Sequence, residues 1–195
     1  IFSLKQAGEV PHRAPYAVLS IGAGSKKRQW PISYFAQVAE YLHTVKKLRI
    51  FICGGLQDRE SALEFSKHFS HNYENQVGKE SLSQFVETLG GAEVLVSNES
   101  MAPHLAVALE VPQIITISNG NHLGRFIPYP IEIYKHYHPI FHPGIPLAEQ
   151  SAESLQRQFE FESPLDICEI KPEQVIASLK VLFASGSLGA SSLSQ

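Results

Sequence analysis

Four short polar stretches carry residue types that could hold a phosphorylated ligand. In Gly22–Pro31, GAGSKKRQWP, two glycines that let a ligand approach the backbone stand beside three cations, Lys26, Lys27 and Arg28. Taken alone, that segment reads first as a solvated basic turn. In Gly54–Glu60, GGLQDRE, Asp58 can cap a helix or accept hydrogen bonds from ribose hydroxyls, and capping is the commoner use at that spacing. Ser97–His104, SNESMAPH, reads as a turn opening a helix. The first amides of a helix lack partners within it and carry about half a positive charge, so the N–H groups of Ser100, Met101 and Ala102 suit an anion. Glu99 would repel that anion unless it binds a hydroxyl-bearing part of the same ligand, which a sugar supplies. His104, one turn into the helix, reads equally as a structural histidine or a ligand contact. The fourth stretch, Asn119, Asn121, His122 and Arg125, directly follows an apolar run and is placed to reach the ligand too.

Other chemistries fit less well. Neither GxxxxGK[ST] nor GxGxxG occurs, so the usual triphosphate and dinucleotide fingerprints are missing. His136, His138 and His142 are spaced His-x-His-x3-His, but in a proline-rich loop without the carboxylate and helical placement of a catalytic zinc site. Metal binding is therefore not expected of them.

The elements that must position these residues follow from apolar spacing. Tyr16–Ile21 and Arg49–Cys53 read as buried strands, Gln76–Val77 as a brief third, Ala92–Val96 as a fourth and Gln113–Ile117 as a fifth. Between them, helical spacing runs from Ser33, taken as a cap, through Phe35, Val38, Ala39 and Leu42. Further helices start at Asp58, ending near Phe69, and at Ser81, ending near Gly90 and Gly91, and another covers Pro103–Leu109. This alternation predicts an α/β fold, a Rossmann-like doubly wound parallel sheet with right-handed crossovers covering both faces. Each polar stretch follows a strand, so all four gather on the carboxyl edge, where such sheets bind ligands. Beyond Ser118 the rhythm stops. Asn119–Gly144 reads as a long loop, Ala148–Phe161 as a polar helix and Pro172–Ala184 as a closing amphipathic helix. The expected organisation is a linker or the end of a preceding domain over 1–15, one domain over 16–185 and a disordered tail over 186–195.

Composition sets the outer bounds. The 195 residues, 44% hydrophobic and 18% charged, suffice for one well-cored domain rather than two. A net charge of −3 gives no global attraction to nucleic acid or an anionic membrane, so basic function must be local. No run reaches the ~18 apolar residues of a membrane span. The chain opens on Ile without a charged-then-apolar leader and reads as a fragment of a cytosolic protein. Its two cysteines, Cys53 and Cys168, make no disulfide framework, and Cys53 within RIFIC reads as a buried structural thiol.

Taken in order, GAGSKKRQWP, ICGGLQDRE and VGKESLSQFVETLGGAEVLVSNESMAPHLAVALEVP resemble glycosyltransferase family 9, the ADP-heptose:lipopolysaccharide heptosyltransferases. The resemblance covers about residues 16–117, and the closing KPEQVIASLKVLF is similar to the family's final helix. It implies one half of a two-domain GT-B fold, the carboxy-terminal half that binds the nucleotide-sugar donor. By the same resemblance Arg28, two before Trp30 and Pro31, contacts the donor phosphates with Lys26 or Lys27 helping, and Asp58 contacts the ribose or base. The family's Asp-Thr-Gly-x-x-His segment, which binds sugar and diphosphate, reads Glu99, Ser100, Met101, Ala102, Pro103, His104 here. Glu99 for Asp extends the reach by one methylene, and Met101 for Gly adds a side chain where the backbone would approach the diphosphate. The implied activity is an inverting sugar transfer from a nucleoside-diphosphate sugar, ADP-heptose or a relative, to a glycolipid acceptor in bacterial lipopolysaccharide biosynthesis. The implied general base lies in the amino-terminal half, so no catalytic residue is expected in this chain. No metal cofactor and no nucleic-acid partner are implied. The setting is cytoplasmic, with at most peripheral association at the inner face of the membrane. Two alternatives stay open: a nucleotide-sugar epimerase of the same architecture, and a noncatalytic GT-B-like domain that has lost the donor site.

Overall fold

The computed structural model describes residues 14–124, 127–130, 134–147 and 150–189. Apolar, β-branched runs form the middle of its sheet, because a strand covered on both faces has no side left for polar residues. These are β1 (Tyr16–Ser20), β2 (Arg49–Cys53), β4 (Val94–Asn98) and β5 (Ile114–Ser118), flanked by the short β3 (Glu74–Asn75) and by β6 (Tyr137–Phe141). All pairs are parallel, in the order β3-β2-β1-β4-β5-β6. The winding reverses between β1 and β4, which opens a crevice at their carboxyl ends.

Six helices cover the sheet: α1 (Ile32–Thr44), α2 (Arg59–His68), α3 (Leu82–Gly90), α4 (Met101–Ala108), α5 (Ala152–Phe159) and α6 (Pro172–Gly189). Strand alternation sends Ala17, Leu19, Ile50, Ile52, Val94 and Val96 to one face, against Phe35, Val38 and Leu42 of α1 and Val175 and Leu179 of α6. Val18, Leu95, Ile114 and Tyr137 go to the other face, against Leu89 of α3 and Ala102 and Ala106 of α4. The cysteines are free, Cys53 buried and Cys168 exposed. Among the described residues, no helix is long and apolar enough to cross a membrane.

Several expectations need correction. Helix α1 begins at Ile32 with Pro31 in the cap position, so Ser33 is already helical and caps nothing. Strand β3 lies two residues earlier than predicted, because the Val77 N–H turns to the Asn75 Oδ1 at 3.0 Å instead of continuing the ladder. The predicted loop Asn119–Gly144 contains β6. Its Pro139 hides a strand signal, yet a proline is tolerated on a sheet edge, where β6 lies. Helix α6 continues past Ala184 to Gly189, so residues 186–189 are helical rather than part of a disordered tail. Residues 1–13 and 190–195 lie outside the described residues.

Candidate functional site

A cavity of about 400 Å³ opens at the carboxyl edge, within the size range of small-molecule sites. The turns after β1, β2 and β4 meet the start of α3 around it, so Gly22, Gly24, Gly54, Gly55, Asp58, Glu80, Ser81, Ser100, Met101 and Ala102 all line it. The glycines are needed for the close approach of these turns. A Cβ on Gly22 would collide with the Asp58 carboxylate, and one on Gly54 would stand 2.9 Å from Asp58 Oδ2. Gly54 and Gly22 therefore let a buried carboxylate wedge between two strand ends.

One buried amide ties the first turn to the third. Asn98 at the end of β4 is fully buried, accepts the Trp30 N–H at 2.9 Å and donates through Nδ2 to the Ile21 carbonyl at 2.9 Å. The Trp30 indole, packed edge-on against Phe35, donates to the Ile170 carbonyl at 2.7 Å. The cation-bearing turn Lys26–Arg28, a single 3-10 turn, thus hangs between two fixed points. Its Arg28 is half-buried, folds over Gly24 and donates from Nη1 to the Glu99 carbonyl at 3.3 Å and from Nε to Ser25 Oγ at 3.4 Å. These contacts occupy two of the five guanidinium donors. Lys26 and Lys27 are exposed, and Lys27 pairs with Glu162.

The start of α4 reaches the cavity as expected, with fewer amides to offer. Ser100 accepts the Ala102 N–H at 3.3 Å through its own hydroxyl, and Pro103 has no N–H. Met101, 54% exposed, stands at the mouth. His104 lies one turn further along and is half-buried. Its Nδ1 sits 2.6 Å from the Tyr129 hydroxyl, and desolvation pushes its pKa down.

Three expected ligand contacts have other work here. Asp58 does not cap α2; its Oδ2 folds back to accept the Gly55 N–H at 2.8 Å, with Gln29 Nε2 3.4 Å from Oδ1. It still lines the cavity, though it is only 1% exposed. Glu99 turns away from the cavity into the seam between β4 and β5, where Oε2 accepts the Ser118 hydroxyl at 2.7 Å. Burial raises its pKa, against lowering by that hydrogen bond and by Arg28 and His122. The side chain of glutamate is long enough to cross to the neighbouring strand end. Asn119 is 1% exposed, and its amide braces the main chain, donating to Leu165 O at 2.9 Å and to Lys27 O at 3.3 Å. The backbone of His122, at φ +61°, donates to Phe159 O. Arg125 lies outside the described residues.

Sequence reading missed the α3 side of the site. Glu80, Ser81, Leu82 and Phe85 line the cavity because β3 delivers the chain to the same edge as β2 and β4. The signal was present: a helix start after a strand, with Ser81 and Gln84 closing a reciprocal capping box. The Glu80 carboxylate accepts the Thr88 hydroxyl and, with desolvation as the larger cause, raises the pKa of the Cys53 thiol. Among the described residues, no three His, Cys, Asp or Glu side chains group as a metal site would need. Of the three loop histidines, His142 is buried, accepts the Gly144 N–H at 2.9 Å and faces Glu169 at 3.3 Å.

Comparison with known proteins agrees with this architecture. The glycosyl transferase family 9 structure from Veillonella parvula superposes with a TM-score of 0.69 at 18% identity, over 90% of this chain and 48% of that one. The Escherichia coli ADP-heptose lps heptosyltransferase II gives 0.63 at 19% identity, over 89% and 48%. The E. coli heptosyltransferase WaaC with ADP-2-deoxy-2-fluoro heptose gives 0.53 at 25% identity, over 74% and 42%. The chain spans about half the length of each of these structures or slightly less. No curated protein matches it by sequence. The family model described as Glycosyltransferase family 9 (heptosyltransferase) matches residues 2–129 of the 195, which covers the strands and turns that build the cavity through the β5 end. The chain belongs to glycosyltransferase family 9.

Proposed function

We propose that this chain is the donor-binding half of an inverting glycosyltransferase that moves a sugar from a nucleoside diphosphate to a glycolipid acceptor. The observation that carries the reading is the glycine-walled cavity at the β1/β4 reversal, lined by Asp58 and Glu80, with Arg28, which does not itself line it, folded over the lining Gly24. Such polarity suits a ligand with an anionic diphosphate and a hydroxyl-bearing nucleoside. An acceptor hydroxyl, deprotonated by a base in the other half of the enzyme, attacks the anomeric carbon, and the nucleoside diphosphate leaves from the opposite face. Charge builds on the departing diphosphate, where a preplaced guanidinium and backbone amides lower the barrier most. Arg28 and the first amides of α4 fill that role, with Lys26 and Lys27 adding positive field and no metal required. The WaaC structure, solved with an ADP sugar, makes ADP the first nucleotide to test.

The test is calorimetric titration with ADP, UDP and GDP, with and without a chelator, beside Arg28→Ala. One nucleotide is expected to bind in either condition, with Arg28→Ala weakening it by about tenfold or more, as a charge-assisted contact implies. Failure of all three in a folded sample refutes the donor reading and favours a noncatalytic domain, for which Met101 at the mouth is the motivating observation. Loss of binding with the chelator refutes the metal-free account.

A further inference from the structure

The cavity is lined by two carboxylates in different circumstances. Asp58 is spent on its own turn: only 1% exposed, it accepts the Gly55 N–H at 2.8 Å, and the side-chain amides of Gln29 and Gln57 each stand 3.4 Å from it. Glu80 is half-buried and borders the cavity where the chain enters α3. Its carboxylate accepts the Thr88 hydroxyl, two turns along the same helix. An ionised carboxylate has about four acceptor positions and no donor, so that bond anchors Glu80 and leaves most of its capacity open. Glu80 is not placed to hold phosphate, which its charge repels. The first amides of α4 border the cavity from β4, whereas Glu80 borders it from β3, with β2 and β1 between them in the sheet. Beside it in the lining stand Leu82, 58% exposed, and Phe85, three residues on and so on the same face of α3. Apolar walls suit a flat heterocycle and give ribose hydroxyls no partner. An acceptor-only group next to such walls calls for a base that donates.

We propose that Glu80 is the specificity-determining residue for the nucleobase of the donor: its carboxylate accepts a hydrogen bond from an exocyclic amino group, as adenine, guanine and cytosine carry, and disfavours a base without one. The proposal rests on the donor-site reading above and narrows it to a nucleoside-diphosphate sugar with an amine-bearing base. A carbonyl in the place of the amine sets two acceptors face to face. Neither then has a hydrogen to receive in a site partly closed to water, the costly arrangement for polar groups.

The experiment is calorimetric titration with ADP, GDP, CDP, IDP and UDP of the chain as it stands, of Glu80→Gln and Glu80→Ala, and of Glu87→Gln as a control. IDP is the counterpart of ADP and GDP without the amine, and UDP that of CDP. Glutamine keeps an acceptor for Thr88 and can turn either its N–H or its oxygen to the base, alanine offers neither, and Glu87 is an exposed acid of the same helix. In the parent, the tightest ligand is expected to carry the amine and to bind about tenfold or more tighter than its amine-free counterpart, the effect of a hydrogen bond to a charged group. That ratio should fall to about threefold or less in both Glu80 variants and stay as it was in Glu87→Gln. The ratio is the readout because removing a negative charge strengthens the binding of every diphosphate alike. IDP or UDP as the tightest ligand of the parent, or an amine preference that survives in either Glu80 variant, overturns the proposal and leaves the donor reading standing. A parent that binds none of the five refutes the donor reading and this role with it.

Discussion

Removing the amide of Asn98 should loosen the site more than removing any of its cations. Asn98 is fully buried, and its side chain makes two close bonds to main-chain groups, the Trp30 N–H and the Ile21 carbonyl, each at 2.9 Å, with the Gly22 carbonyl further off at 3.4 Å. Asn98→Ala leaves both without that partner, and a buried polar group deprived of its hydrogen bond costs about 1–3 kcal/mol. The two together amount to about 2–6 kcal/mol, a large share of the ~5–15 kcal/mol that holds a typical domain folded. With a urea slope of about 2 kcal/mol/M, the unfolding midpoint should fall by about 1–3 M. Asn98→Asp should recover only part of this, because a carboxylate accepts the Trp30 N–H but has no hydrogen for the Ile21 carbonyl. Ser66→Ala, which removes an exposed hydroxyl bonded to Leu63 O, should stay within about 0.5 kcal/mol. Urea unfolding followed by tryptophan fluorescence suits the measurement, since Trp30 is the chain's one tryptophan and touches the brace. A midpoint loss under about 0.5 M with an unchanged slope would show that Asn98 is not the brace its contacts describe.

Two further outcomes follow from Glu99 and Met101. Burial holds the Glu99 carboxyl above its ordinary 4.5, so the folded state binds that proton more tightly than the unfolded state. Below about 4.5 both states keep the proton, and as pH rises through that value and through the raised folded one, stability is lost. The melting temperature of Glu99→Gln should therefore gain on that of the parent as pH goes from 4 to 8 by about the scale of the linkage, and parallel curves would contradict the assignment. Met101→Gly should cost α4 about 1 kcal/mol or less and tighten nucleotide binding by about three- to tenfold by clearing the mouth. Weaker binding would instead make Met101 a wall of the ligand site.

The sequence by itself determined the strand–helix alternation, because a doubly covered parallel strand is a mostly apolar run, and β1, β2, β4 and β5 are such runs that turn polar at their carboxyl ends or at single positions. From that alone followed the shared carboxyl edge and the gathering there of Gly22, Asp58 and Ser100, since a parallel sheet delivers every turn after a strand to one side. Strand β6 was illegible, as its proline is permitted only by an edge position that no local pattern reveals. What only the tertiary structure decided is where each polar side chain points. Charge and spacing place Glu99, Asp58 and Asn119 beside a ligand, but Glu99 turns to Ser118, Asp58 to Gly55 and Asn119 to Leu165. The reason is that a buried polar group takes whichever partner packing brings within hydrogen-bond distance, and those partners lie up to 46 residues away in the chain. Asn98 shows the same rule from the other side, for its contacts with Trp30 and Ile21 are ones that spacing along the chain cannot display.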